Sequence, residues 1–252
     1  MSTLFGHEHL RVYKMAMEFV TLGDSLLSLA ERKADACGHL SRAMESIPLH
    51  IAHANNSWSA KERITYLGHA NGSVLECAAC LDVLVARRVF DSAQTVPGKL
   101  LLRPVCGMLI AMQKSASDRV CEEDADPYTT KHEVYFSHER LDVYQLSLGF
   151  VSWVEELCCG LTERQDVADR LDRTSTSIVL NIAEGNGRFT VLDHARFLSI
   201  AHSATVQSAS TLDLAVARHV VEADNTKRGR QMIERISAML TAMAKTKACP
   251  HS

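Results

Sequence analysis

An all-α fold, two tandem antiparallel four-helix bundles, is what this chain of 252 residues predicts. Three observations carry that prediction. The chain repeats itself at a fixed offset of 131 residues, so that His7-Glu8-x-Leu10-x-Val12-Tyr13 returns as His138-Glu139-x-Leu141-x-Val143-Tyr144. Likewise Leu81-Asp82-x-x-Val85-Ala86-Arg87 returns as Leu212-Asp213-x-x-Val216-Ala217-Arg218. Laid over each other without a gap, the two copies agree at roughly 30 of about 108 positions, where chance gives about 6. Second, apolar residues recur at helical spacing through each copy. Third, aromatic residues make up only 6% of the chain while Leu, Ala, Met and Ser are frequent, which favours helices over a β-sandwich.

Each copy reads as four helices. In the first, Leu10, Tyr13, Met17, Val20 and Leu27 form the stripe of a helix over 8–32. Further helices are expected over 35–55, 59–91 and 97–116. The second copy repeats them over 138–161, 164–185, 190–222 and 226–247. Polar connections such as Asn55-Asn56-Ser57 and Gly185-Asn186-Gly187 suit turns between antiparallel neighbours. An amphipathic helix cannot bury its stripe alone, and short loops bring sequential helices together as a bundle. The expected organisation is a first bundle over 1–116, an acidic linker over 117–136 centred on Glu122-Glu123-Asp124, and a second bundle over 137–252.

Charge excludes a generally basic, nucleic-acid-like surface. Residues 1–130 hold 13 Lys+Arg and 15 Asp+Glu, and residues 131–252 hold 14 and 15, for a net charge of −3. Any RNA or DNA contact must therefore come from local cations. The candidates are Lys227, Arg228 and Arg230, with Arg235 further along the same helix, and a second group of Arg87, Arg88 and Arg218 near the ends of the third helices. The eight cysteines do not repeat between the copies, so no shared disulfide framework is expected and a reduced, cytoplasmic protein is predicted. The first residues do not read as a secretory leader, and no run of about 18 apolar residues calls for a membrane.

The second copy resembles a known family. Its segments LDVYQLSLGFV (141–151), RTSTSIVLNIAEGNGR (173–188) and FLSIAHSATVQS (197–208) are similar to the four-helix-bundle proteins of ribosomal RNA intervening sequences. The most specific stretch is Ser177-Ile178-x-x-Asn181-Ile182-Ala183-Glu184-Gly185. The resemblance implies a bundle without catalysis or cofactor. It also points to the accessory proteins of diversity-generating retroelements, which self-associate and bind a reverse transcriptase and its RNA. A protein partner, reverse transcriptase among the candidates, and self-association are thus expected. The first copy departs from the motif, with His50, His53 and Ala54 in place of the Asn, Glu and Gly. It also carries Pro48, which is expected to kink or shorten its helix.

The motif also has a reading from its residues alone. Gly185 suits the left-handed conformation that ends a helix. Asn181 and Glu184 share one face and are placed to bond backbone or a neighbouring helix. Other chemistry finds little support. No Glu stands three residues before a His, as a di-metal bundle requires. Cys77-x-x-Cys80 has no second pair at zinc-finger spacing, and His50-x-x-His53 lacks a third ligand. Neither a phosphate loop nor a nucleophile elbow occurs, so no enzyme is expected.

Overall fold

The computed structural model describes residues 5–30, 34–117, 135–159, 165–188 and 190–248. It contains α1 (Arg11–Ser28), α2 (Asp35–Asn56), α3 (Ala60–Ala86) and α4 (Ser92–Ser117) in the first copy. The second holds α5 (Asp142–Cys158), α6 (Gln165–Asn186), α7 (Val191–Ala217) and α8 (Ala223–Ala248). No strand occurs among the described residues. Each helix packs on the next, and the first closes on the fourth in both copies, so each copy is a four-helix bundle. The expected linker over 117–136 lies mostly outside the described residues.

Local sequence explains the helix ends. Ser59 accepts a hydrogen bond from the Glu62 backbone N–H, and Thr190 accepts one from Asp193, so α3 and α7 start on the same type of cap. Both end on one motif. Val89 N–H reaches Leu84 C=O and Arg88 N–H reaches Val85 C=O, each at 2.9 Å; Val220 and His219 repeat these bonds to Ala215 and Val216. The residue that turns the chain is Arg88 in one copy and His219 in the other, each at φ 56°.

Two expectations change. Pro48 neither ends nor shortens α2, which at 22 residues equals α6. Its buried ring is absorbed within the helix, and the neighbouring Ser46 carbonyl accepts a bond from His50 Nδ1 at 2.9 Å. In addition, α4 begins at Ser92, so Pro97 and Pro104 both lie inside it.

The two bundles share one continuous apolar core. The helix that joins them is α3, which packs on α2 and α4 of its own copy and on α5 and α6 of the other. Leu67, Ala70, Val74, Cys77, Ala78, Ala79, Cys80, Leu81, Val83 and Leu84 are all fully buried, and they cover every side of the helix. Over Ser92–Ala116, α4 is long and apolar enough to cross a membrane. In this fold, however, its Leu102, Val105 and Leu109 fill the core.

His219 occupies a left-handed position at which a β-carbon costs about 1–2 kcal/mol. His219→Gly is expected to raise stability by about 0.5–1 kcal/mol after the entropic cost of glycine, measured by urea denaturation.

Candidate functional site

A cluster of largely buried charged residues gathers where the two copies meet. Asp82 on α3 and Lys99 on α4 face Glu139, in the turn of 3-10 helix over Ser137–Arg140, and Tyr144 on α5. Lys99 Nζ pairs with the Asp82 carboxylate and lies 2.8 Å from Glu139 Oε1, and Tyr144 donates its hydroxyl to Asp82 Oδ2 at 2.8 Å. Burial pushes the Asp82 carboxyl up against the pull of Lys99. Burial opposes the charge on Lys99, yet Asp82 and Glu139 together hold its pKa above the ordinary value. Glu139 also caps its own turn, accepting from the Tyr135 N–H at 2.6 Å.

Beside this cluster His138 is fully buried, with no hydrogen-bond partner on either ring nitrogen among the described residues. Its ring stacks on Phe136 at 5.7 Å and meets Tyr144 edge-on at 4.7 Å. Burial, aided by the Lys99 charge, pushes its pKa down to about 3. Asp82, His138 and Glu139 bring ligand atoms within 4.8 Å of one another, a grouping that suits a metal ion. The cation between the two carboxylates is the Lys99 ammonium, and a metal would have to expel it.

A second buried junction lies just past the C-terminus of α3, five residues beyond Asp82. Arg87, only 3% exposed, pairs with Asp172 at 2.8 Å and with Glu155 at 3.5 Å, and it donates to Ser175 Oγ at 2.7 Å. Nearer the middle of α3 the helices approach closely. Glu184 and Arg188, paired with each other, lie against Gly72, where an added Cβ would sit 2.9 Å from Arg188 Nη2. A Cβ on Gly187 would overlap the Leu75 side chain. At both points the space of a Cβ is taken by neighbouring side chains, and neither glycine has a positive φ.

The motif residues therefore divide. Glu184 belongs to the junction between the copies, and burial raises its pKa against the pull of Arg188. Asn181 stays within its own helix, bonding the Ser177 carbonyl at 2.7 Å. Gly185 lies inside α6 and does not take the left-handed conformation expected of it. Its missing side chain instead lets α7 approach: an added Cβ would sit 3.0 Å from Phe197 Cβ, and His194 Nδ1 lies 2.7 Å from the Gly185 carbonyl.

The basic candidates are scattered rather than gathered into one patch. Arg87 is buried as described. Arg88 pairs with Glu156, Arg218 with Asp166, Lys227 with Asp224 and Arg230 with Asp213. Arg228 and Arg235 stand exposed on α8. The opposition of Lys227 to the helix dipole is eased by Asp224 in the same first turn.

The buried thiols are inert. Burial drives the Cys77 and Cys80 thiols well above their usual range and Cys106 up to about 12, so no thiolate forms near neutral pH. His50 and His53 both stack on Tyr66, at 6.1 and 5.1 Å, and His69 meets His50 edge-on at 5.2 Å. The sequence missed the junction because its members are far apart along the chain. One signal was present: apart from Asn71, Glu76 and Asp82, α3 is apolar or small from Ala70 to Leu84, which marks a helix buried nearly all round.

The family model for the 23S rRNA-intervening sequence protein matches residues 8–111 and, a second time, residues 139–242. The chain belongs to this family. Both matches start and end at the same offset of 131 residues, so the chain is two fused copies of the 23S rRNA-intervening sequence protein unit. No curated protein and no solved structure matches it. Within the unit the matched span runs from the His-Glu turn through most of the fourth helix, and it includes both halves of each buried junction.

Two outcomes follow from the junction. His138 stays neutral when folded, while an unfolded histidine titrates near about 6.5. The stability it allows is present above that pH and lost as pH falls toward about 3. His138→Phe keeps the ring stacking and removes the proton uptake. It should stabilise the protein by about 1–2 kcal/mol more at pH 5 than at pH 7, read from urea unfolding at both. Arg87→Ala strands two carboxylates and should cost about 3–5 kcal/mol by the same measurement.

Proposed function

We propose that this protein works without catalysis as an assembly or adaptor protein of the cytoplasm, its sharpest form being an accessory subunit of the reverse transcriptase of a diversity-generating retroelement. The observation that carries this reading is the unequal exposure of α3 and α7. Leu75 and Val83 of α3 are buried under the second copy, whereas their counterparts on α7, Val206 and Leu214, are 50% and 47% exposed. A solvent-facing apolar strip on a helix whose twin is an interface suits a surface that takes a partner. The buried ionisable groups support the same reading. Lys99, Asp82, Glu139 and Arg87 join helices to one another through ion pairs. The free thiols among the described residues accord with a reducing compartment.

RNA binding by the isolated chain is the weaker reading. Arg88, Arg218, Lys227 and Arg230 each already hold an acidic side chain, which lowers the charge they offer to phosphate. The adaptor reading is tested by co-expressing the tagged protein with the reverse transcriptase of such an element from the same genome. A complex that survives purification at high salt is expected, and a reverse transcriptase that passes through unretained would overturn that assignment. In parallel, RNA retention by the chain alone should be weak and steeply salt-dependent. Tight RNA binding lost on replacing Lys227, Arg228 and Arg230 with Ala would favour a nucleic-acid module instead.

A further inference from the structure

The outer face of α4 differs from that of its twin. In α8 the exposed Gln231, Glu234, Arg235 and Thr241 make an ordinary solvated surface. At the equivalent places α4 carries Leu100, Arg103, Pro104 and Ile110, so three polar positions are apolar and a base stands in place of the acid. Leu100 is 54% exposed. In the same stripe Gly107 stands where α8 has Ala238. It has no positive φ, and a Cβ added to it would meet nothing within 4 Å. Glycine inside a helix costs stability relative to alanine. Neither its backbone angle nor packing within the chain calls for that cost here. What Gly107 does is keep space open.

That space is a groove of about 760 Å³, a size that suits a small organic ligand. One wall is the α4 stripe, another is Asn71 and Leu75 of α3, and the second copy closes it with Phe136, Asn186 and Arg188. Its chemistry is split along its length. Gln113, which precedes Lys114, lies against Gly68, and Arg188 lies against Gly72, one turn along α3. Lys114 and Arg188 therefore stand toward one end. From Lys114 to Leu100 the stripe runs about 21 Å along the helix. No acidic residue lines the groove among the described residues. Arg188 pairs with Glu184 through Nη2, yet its Nε is buried without a hydrogen-bond partner among the described residues.

We infer that this groove binds a single-chain amphipathic anion, an alkyl tail ending in a carboxylate or phosphate head. The tail would cover Leu100, Pro104, Ile110 and Phe136, and the head would meet Lys114 and Arg188. Arg103 adds a third positive charge to the same groove. Burial of the tail supplies affinity, and charge-assisted hydrogen bonds select the anion over a neutral chain. Such a site is independent of the adaptor reading, which is judged by retention of the reverse transcriptase.

The test is isothermal titration calorimetry on the full-length protein with dodecanoate, dodecyl phosphate and dodecan-1-ol, each below its micelle concentration. Saturable binding of at least one anion is expected, with the alcohol weaker by about tenfold or more. Whichever anion binds more tightly identifies the head group. Gly107→Leu fills the groove where a side chain has room, and it should abolish binding while circular dichroism melting stays as high as in the wild type. Arg103→Glu with Lys114→Glu should weaken the anions by about tenfold or more and leave the alcohol unchanged. Three results overturn the proposal: no saturable binding of either anion, binding that both variants leave intact, or an alcohol that binds as tightly as the anions. Binding that appears only once Glu122, Glu123, Asp124 and Asp126 are changed to Ser would also overturn it, by giving the groove to the chain's own acidic segment.

Discussion

The double-sided burial of α3 is the constraint on which the rest of this structure depends. A helix in a four-helix bundle ordinarily buries one stripe and wets the other. Here the second stripe is covered by α5 and α6, so two bundles share a single core. Each buried Leu or Val on that second stripe contributes about 1.5–3 kcal/mol of hydrophobic stabilisation, and Leu75 and Val83 are among them. Close approach then dictates small residues at the crossing, which accounts for Gly72 on one side and Gly187 on the other.

The charged groups set the register of that packing. Lys99 meets Glu139 and Arg87 meets Glu155 and Asp172 of the other copy, all near the C-terminal end of α3. A slide of one helical turn would take Glu139 from Lys99 and both carboxylates from Arg87, the latter at about 3–5 kcal/mol. Apolar contacts alone would tolerate such a slide better, because Leu and Val side chains can repack. The buried pairs therefore select one arrangement from several that hydrophobic burial would accept.

Fusion has let the copies diverge around this interface. In the second copy Glu184 and Gly187 face α3. The first carries His53 and Asn56 at those places, both exposed. On α7 the exposed Ser210 stands where α3 has the fully buried Ala79, and the exposed Val206 and Leu214 stand where α3 has the buried Leu75 and Val83.

The helices, their number and their duplication were legible in the sequence, because 3.6-residue periodicity and a gap-free repeat are local or linear signals. The caps in Ser59-x-x-Glu62 and Thr190-x-x-Asp193, seen in the structure, are local signals of the same kind. The roles of Gly185 and Pro48 were not legible, since whether a glycine bends backbone or admits a neighbour depends on what lies across from it. Arg87 and Arg218 occupy equivalent positions, yet one is buried among carboxylates and the other pairs at the surface. Only the tertiary structure could decide that, because burial is a property of the partner face, and the two copies, alike in pattern, were given different partners by the way one packs upon the other.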